Sequence, residues 1–217
     1  FSREDVGRLV IATTHNQARY ALPDTVMAFA AEFPNVQLEL RQVTPKQAAG
    51  SVLRGEADIA IATEALDQFS DLLTFPCFSW RHVVIVPHGH ALEHVQNLTL
   101  EQVAEYPIIT YSPEFSGRSQ IDAAFRANSL DPDIRLTAMD ADVIKLYVER
   151  GGGVGIVSEM AMEHQACEQL AVVAGSRELF AASTTKVAFQ RGALPGHRLR
   201  RRRLRRHVRR RFRRGGL

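Results

Sequence analysis

Apolar residues recur at two spacings along the first part of the chain, which predicts strands and helices in alternation. Runs of β-branched or alternating apolar residues predict three strands, at 8–14, 36–43 and 57–63. Between them, helical spacing predicts one helix that carries Pro23 in its first turn and ends at Pro34, and another that begins after the N-cap Thr44 and ends at Gly55. This order is typical of an α/β unit with parallel strands.

A second series of the same kind begins near residue 79. Its helices are predicted at 99–106, where Thr99 and Gln102 have the spacing of a capping box, at 117–130, and after the N-cap Asp140. The last of these is expected to bury Val143, Ile144, Tyr147 and Val148. The remaining strands are predicted at 72–80, 82–87, 108–112, 134–139, 154–158, 169–174 and 185–190.

These patterns predict an α/β protein of two Rossmann-like lobes with crossing strands, the type 2 periplasmic-binding-protein-like arrangement. The expected first lobe comprises 1–78 and 181–192, the second comprises 79–180, and 193–217 form an arginine-rich tail. Ligands of such folds bind at the carboxyl ends of the strands, in a cleft.

Charge divides the chain at the start of its tail. Of the 27 Lys and Arg residues, 13 lie in 191–217, whereas all 24 Asp and Glu residues precede that segment. The first 190 residues are therefore acidic, which disfavours binding of nucleic acid by this part. An anion bound there needs local donors such as hydroxyls and backbone N–H groups.

Three interpretations of the tail compete. It is a basic segment that binds nucleic acid or acidic partners, a solvated charged helix, or an out-of-frame translation of a GC-rich gene. We hypothesise the third, because composition changes abruptly there, and we expect disorder or a loose helix.

The compartment is inferred from cysteines and hydropathy. No apolar stretch approaches the ~18 residues that a membrane span requires, and no secretory signal is visible, although the chain begins with Phe1 and not Met. Cys77 and Cys167 are expected to be free thiols in a reducing cytoplasm.

The candidate chemistry lies where strands are followed by helices. Thr14, Asn16 and Gln17 follow the first predicted strand, and Thr63 ends the third, so that the sheet places them at one edge. Ser116 opens a helix of the second lobe. Ordinary N-capping by Thr14 or Asn16 is the alternative for the first group.

Several segments together resemble one known family. The strings IATTHNQARYALP, IATEAL, PCFSW, GRS, DADVIKLYVERGGGVGIV and STTKVAF are similar to the effector domain of LysR-type transcriptional regulators of the CysB-like, cysteine-regulon branch. The resemblance covers about Asp5 to Gly192 and implies a sensor for sulfur assimilation. It implies a small anionic effector, such as sulfate, N-acetylserine or adenosine phosphosulfate, bound between the lobes. It also implies a helix-turn-helix before Phe1 that binds promoter DNA, a homodimer or homotetramer, and possible contact with RNA polymerase.

The resemblance assigns the anion contacts residue by residue. They fall on Thr14, Asn16, Gln17, Thr63 and Ser116, and an aromatic residue near the cleft falls on Trp80. The chain departs from the family pattern at three of its positions, with Asn at 16 and Ser at 116 where Thr is expected, and Met at 139 where a small polar residue is expected. Its tail also replaces an expected helix rich in Tyr, Asp and Phe. The departures at 16, 116 and 139 affect the identity of the effector more than its class.

We expect no catalysis, no cofactor, no metal and no membrane partner. No nucleophile, base and orienting group form a recognisable set. The spacing of the histidines fits no zinc signature and predicts a surface turn, formed by His82, His88, His90 and His94. The rival functions are a free-standing solute-binding protein for an oxyanion and an enzyme acting on a small sulfur compound or amino acid.

Overall fold

Two five-stranded sheets organise the structure, a computed structural model that describes residues 6–115, 117–163 and 168–192. The first unit comprises the described residues up to Phe78 and from Thr184 onward, and the second is Ser79–Ser183. Among these residues, no helix has the length and apolar character needed to cross a bilayer. The predicted site residue Ser116, Cys167 and the tail at 193–217 lie outside the described residues.

The elements follow the predicted alternation. The strands are β1 (Gly7–Thr13), β2 (Val36–Gln42), β3 (Ile59–Ala62), β4 (Leu72–Trp80), β5 (His82–Pro87), β6 (Ile108–Tyr111), β7 (Ile134–Ala138), β8 (Val154–Ser158), β9 (Leu170–Val172) and β10 (Ser183–Gln190). The α-helices are α1 (Pro23–Glu32), α2 (Pro45–Leu53), α3 (Leu100–Ala104), α4 (Arg118–Ala127), α5 (Ala141–Glu149) and α6 (Met160–Glu163). All the predicted strands and helices are thus confirmed, and α6 and three short turns of π or 3-10 type were not predicted.

The first sheet has the strand order β2-β1-β3-β10-β4. Strand β1 pairs in parallel with β2 and β3, and β10 pairs antiparallel with β3. Because β1 and β3 are apolar on both faces, each face buries a separate core layer. One layer includes Leu9 and Ile11 with Phe29 of α1, and the other includes Val10 and Ala12 with α2.

The second sheet has the strand order β7-β6-β8-β5-β9. Strand β6 pairs in parallel with β7 and β8, whereas β5 pairs antiparallel with β8 and β9. Helix α5 packs across β6 and β8. Gly155 permits this close packing, since a Cβ atom there would lie 2.5 Å from Cγ1 of Ile85 and 2.8 Å from Cγ2 of Val148.

The predicted helix starts are confirmed by side-chain hydrogen bonds. Thr44 and Thr99 each form a reciprocal capping box with the glutamine three residues later. Oδ1 of Asp140 accepts a hydrogen bond from the backbone N–H of Val143 at 3.0 Å. Helices α2, α3 and α5 therefore begin where a side chain satisfies a backbone N–H that the helix leaves unpaired.

The predicted buried face of α5 is partly wrong. Val143 and Tyr147 are exposed, at 38% and 45%, whereas Lys145 is buried. The buried face consists of Ala141, Ile144, Lys145 and Val148. It keeps helical spacing but is rotated relative to the predicted face. The charge of Lys145 is satisfied in the buried position, because its Nζ forms an ion pair with Asp142 at 2.9 Å and donates to the carbonyl of Ala161 at 3.2 Å.

Candidate functional site

The candidate site lies at the carboxyl end of β1, in the first unit. Thr13 ends the strand, and its hydroxyl donates a hydrogen bond to the carbonyl oxygen of Ile61 in β3 at 2.9 Å. This bond joins the ends of two parallel strands. Thr14 and Thr63, which follow β1 and β3, therefore lie at the same edge of the sheet, as the sequence predicted.

After β1 the chain makes a π-helical turn, Gln17–Ala21, and does not enter α1 directly. The N–H of Leu22 donates to the carbonyl of Gln17 at 2.9 Å, which is the i to i+5 pattern of a π-turn. Asn16 precedes the turn, but its side chain makes no capping hydrogen bond. The capping alternative therefore does not explain this asparagine. Thr14, Asn16 and Gln17 are all buried.

The side chain of Gln17 joins three elements of the first unit. Its Nε2 donates to Oγ1 of Thr185 in β10 at 2.9 Å and to Oγ1 of Thr63 after β3 at 3.4 Å. The antiparallel pairing of Lys186 with Ala62 explains why these two threonines meet, since they occupy the next pair of positions. Gln17 is 1% exposed, and its Oε1 is buried with no hydrogen-bond partner in the described part of the chain.

Thr185 was missed by the sequence analysis. It lies 168 residues from Gln17, in a strand that resembles any other β-branched strand. The available signal was indirect: a final strand that returns beside β3 places its first residues next to the end of β3. The site therefore has a fourth element, β10, in addition to β1, β3 and the π-turn.

The cation nearest to this cluster along β10 is already paired. Lys186 follows Thr185, and its ammonium forms an ion pair with Asp67. Lys186 and, to a lesser extent, the hydroxyl of Thr74 lower the pKa of the Asp67 carboxyl. The groups that meet at the cluster itself are neutral amides and hydroxyls.

Trp80 belongs to the second unit, whereas Gln17 belongs to the first. It is 2% exposed, and its ring meets the ring of His82 edge to face, with centroids 5.0 Å apart. Of the predicted site residues, the structure thus brings Gln17 and Thr63 into contact, and Thr14 and Asn16 adjoin them along the chain. Trp80 is part of an aromatic cluster in the second unit, together with His82.

The prediction that His82 belongs to a surface turn is wrong. His82 begins β5, a strand with neighbours on both sides, and is fully buried. Its ring lies among three aromatic rings, those of Trp80, Tyr111 and Phe180. The strand pattern of 82–87 outweighs the polarity of histidine, which packs as an aromatic residue here.

The remaining candidate groups have ordinary surroundings. His88 contacts Glu93, and this hydrogen bond, followed by one from the N–H of Gly89, lowers the pKa of the Glu93 carboxyl. Burial lowers the pKa of His90, whose ring is tilted by 60° against that of Tyr106 with centroids 4.7 Å apart. Burial raises the pKa of the Cys77 thiol to about 11, so that this cysteine is a protonated thiol at neutral pH.

Comparison with known proteins places these observations in a family. The sequence model of the LysR substrate binding domain matches residues 2–213. The chain is 54% identical to the HTH-type transcriptional regulator SsuR of Burkholderia cenocepacia over 193 residues, which are 89% of this chain and 62% of SsuR. It is 46% identical to the HTH-type transcriptional regulator Cbl of Escherichia coli over 194 residues, which are 89% of this chain and 61% of Cbl.

A solved structure agrees with the sequence comparisons. The crystal structure of the cofactor-binding domain of the Cbl transcriptional regulator superposes with a TM-score of 0.86 at 44% sequence identity, covering 94% of this chain and 86% of that chain. The fold is therefore the periplasmic-binding-like α/β fold that the sequence predicted. The chain spans less than two thirds of the length of SsuR and Cbl, which are transcriptional regulators and not enzymes. From its sequence and its fold together, this chain belongs to the LysR substrate-binding domain family.

Proposed function

We propose that this chain is the effector-sensing domain of a LysR-type transcription factor that controls sulfur or cysteine metabolism. Its effector is a small sulfur-linked anion, such as sulfate, N-acetylserine or adenosine phosphosulfate. One observation carries the proposal: the Gln17 amide joins the hydroxyls of Thr63 and Thr185 at the carboxyl edge of the first sheet. In open α/β sheets this edge is where ligands bind.

The hydrogen-bond chemistry of the cluster suits an oxyanion. A threonine hydroxyl has one proton to donate and two lone pairs to accept with. Because Oγ1 of Thr63 accepts from Nε2 of Gln17, its proton remains available to an anion oxygen. Thr63 is half-buried, so that a ligand reaches it from solvent, while Gln17 beside it is withdrawn from water. Fixed neutral donors at a partly desolvated edge attract an anion without a lysine.

The anion contacts proposed for this function are those named from the sequence. Thr14, Asn16, Gln17 and Thr63 are the first-unit contacts, and the structure adds Thr185 as the residue that holds Gln17. The resemblance also implies Ser116 and Trp80. The proposal rests on the first-unit groups alone, and its test uses only them.

The relatives support a proposal for the function of the whole protein. Their names identify transcriptional regulators with a helix-turn-helix, which favours a regulator over a free-standing solute-binding protein. We therefore propose a cytoplasmic regulator whose helix-turn-helix binds promoter DNA, which works as a homodimer or homotetramer and contacts RNA polymerase. Effector binding changes its DNA affinity because the two binding events are thermodynamically coupled.

Titration calorimetry of the chain with sulfate, N-acetylserine and adenosine phosphosulfate tests the proposal. We expect at least one of them to bind, and the variant Thr63→Val to bind it about tenfold more weakly, the effect of one hydrogen bond to a charged group. The matched control is Thr137→Val, a substitution of an exposed threonine on β7, which is expected to leave the affinity unchanged. Failure of all three ligands to bind, or equal affinities of the two variants, contradicts the proposal.

A further inference from the structure

A strained turn follows Thr63 at the candidate site. The backbone N–H of Leu66 donates to the carbonyl oxygen of Glu64 at 2.8 Å, which closes a three-residue turn around Ala65. Ala65 has a φ of 66° and a ψ of −26°, in the left-handed region, although it is not a glycine. A three-residue turn with a positive φ at its centre is rare and strained, and such a residue persists only where its surroundings hold it.

The chain is anchored on both sides of this turn. Before the turn, Ala62 is fully buried and ends β3 in register with Lys186 of β10. After the turn, Leu66 is 1% exposed and belongs to the core layer shared with α2. Because only residues 63–65 connect the two anchors, the segment has little freedom to relieve its strain. The left-handed conformation of Ala65 is therefore imposed by the packing on either side.

Lys186 binds both ends of this segment to β10. Its backbone pairs with that of Ala62, and its ammonium forms an ion pair with the carboxylate of Asp67. The other carboxylate oxygen of Asp67 accepts a hydrogen bond from the hydroxyl of Thr74 in β4 at 2.8 Å. One residue of β10 thus holds the segment at its start and at its end.

The segment held in this way carries a hydroxyl of the candidate site. Nε2 of Gln17 lies 3.4 Å from Oγ1 of Thr63 and 2.9 Å from Oγ1 of Thr185, the residue before Lys186. Two consecutive residues of β10 therefore hold the two partners: Thr185 contacts the amide of Gln17, and Lys186 holds the segment of Thr63.

We infer that Ala65, Asp67 and Lys186 are positioning residues of the anion site. The strained turn and the ion pair hold the hydroxyl of Thr63 in place before a ligand arrives, so that binding does not have to order it. The inference rests on the proposed function and adds to it residues that do not contact the anion. It also gives a role to an acidic residue four positions after Thr63, where an unpaired carboxylate would repel an anion.

Asp67→Asn separates positioning from electrostatic attraction, because the two effects have opposite signs. Asparagine keeps an oxygen that accepts from Thr74 but removes the charge that holds Lys186. By electrostatics alone, the loss of a negative charge and the release of a lysine strengthen the binding of an anion. If the pair positions Thr63, we expect the affinity to fall about threefold, a loss within the range of one exposed ion pair.

The affinity is measured by titration calorimetry with whichever of sulfate, N-acetylserine and adenosine phosphosulfate binds the unmodified chain most tightly. The matched control is Asp71→Asn, which removes the same charge from an exposed residue of the same unit and is expected to leave the affinity unchanged or slightly higher. Unchanged or tighter binding by Asp67→Asn, or equal losses in the two variants, overturns the inference while the proposed anion site stands. Failure of the unmodified chain to bind any of the three ligands overturns both.

The double variant Asp67→Asn/Lys186→Gln tests whether the lysine contacts the anion itself. Residues that act only as a pair lose their effect together, so we expect the double variant to bind within about twofold of Asp67→Asn. A larger further loss assigns Lys186 to the anion directly and overturns its role as a positioning residue.

Two substitutions at Ala65 test the turn. Glycine adopts a positive φ without strain, so Ala65→Gly is expected to bind within about twofold of the unmodified chain. Valine is branched at Cβ and strongly disfavours this conformation, so Ala65→Val is expected to bind about tenfold more weakly, because the turn opens and Thr63 moves. Equal affinities of the two variants overturn the role of Ala65. If circular dichroism shows that Ala65→Val does not fold, Asp67→Asn decides the inference by itself.

Discussion

The two units build the same arrangement of strands from different sequences. In the first, β1 lies between β2 and β3 and β10 flanks β3, and in the second, β6 lies between β7 and β8 and β5 flanks β8. Even one side-chain bond is repeated: the hydroxyl of Thr13 donates to the carbonyl of Ile61, and that of Thr110 donates to the carbonyl of Ile156, both at 2.9 Å. The sheets are thus equivalent up to the ends of their central strands.

The difference between the units begins at those ends. In the second unit, Tyr111 ends β6, and its hydroxyl accepts from the N–H of Ser158 at 3.0 Å, at the end of β8. The aromatic side chain fills the space beside the end of β8. In the first unit the comparable place is reached by the amide of Gln17, next to the half-buried Thr63. The same strand order therefore supports a packed aromatic end in one unit and a polar end with a half-buried threonine in the other, so that the residues and not the fold decide what each end can do.

The largest effect expected from this comparison is that of Gly155→Ala. Gly155 in β8 corresponds to Ala60 in β3, since each precedes the isoleucine whose carbonyl accepts the threonine hydroxyl. An added Cβ at 155 lies 2.5 Å from Ile85, so the variant is expected to lose about 3 kcal/mol of unfolding free energy. Trp80 is the only tryptophan of the chain and lies in the second unit, so that its fluorescence in a urea titration reports this loss.

The reverse substitution is the control for that experiment. Ala60→Gly removes one fully buried methyl group from the first unit and adds backbone freedom, and it is expected to cost about 1 kcal/mol, followed by circular dichroism. An unchanged fluorescence midpoint in Gly155→Ala would show that α5 can move away from β8. In that case β8 tolerates a methyl group at this position as β3 does, and the predicted difference between the two strands is wrong.

An intermediate effect is expected from Tyr111→Phe. The phenyl ring keeps the packing, but the buried N–H of Ser158 loses its acceptor, which costs about 2 kcal/mol of stability in the same fluorescence titration. Tyr147→Phe, at a position 45% exposed, is the matched control, and its unfolding free energy is expected to change little. Equal stability losses for Tyr111→Phe and Tyr147→Phe contradict the structural role of Tyr111.

The corresponding substitution in the first unit is Thr63→Val. It is expected to lower ligand affinity with little loss of stability.

Most of the fold was predictable because its signals are local. Thr44 and Thr99 identify their helix starts through the residue three positions later, and the β-branched runs identify the strands. The rotated face of α5 was not predictable: the local ion pair of Lys145 with Asp142 is equally compatible with an exposed lysine, and the acceptor at the carbonyl of Ala161 depends on tertiary structure. The π-turn was missed for a related reason: over five residues, i to i+5 and i to i+4 bonding leave the same sequence pattern.

The placement of the candidate residues was predictable in the part that depends on the ends of two parallel strands. Thr14, Gln17 and Thr63 follow parallel strands, and parallel strands bring their carboxyl ends to one edge. Thr185 was not predictable, because its place depends on which strand β10 pairs with, and that pairing joins residues far apart in the chain. The environment of His82 was also missed, since a histidine that packs as an aromatic residue cannot be distinguished by type from one in a turn.

The smallest effect is expected from a pair of matched substitutions, Thr13→Val and Thr110→Val. Each keeps the shape of the side chain and removes one hydrogen bond to a strand carbonyl, so that each is expected to cost about 1 kcal/mol of unfolding free energy, within a few tenths of the other. Fluorescence of Trp80 follows the second-unit variant, and circular dichroism follows the first-unit one. If Thr13→Val loses much more unfolding free energy than Thr110→Val, the bond between β1 and β3 also supports the arrangement of Gln17. A ligand that binds the chain tests this explanation. If the bond supports Gln17, the ligand stabilises Thr13→Val less than it stabilises the unmodified chain; if it does not, the ligand stabilises both equally.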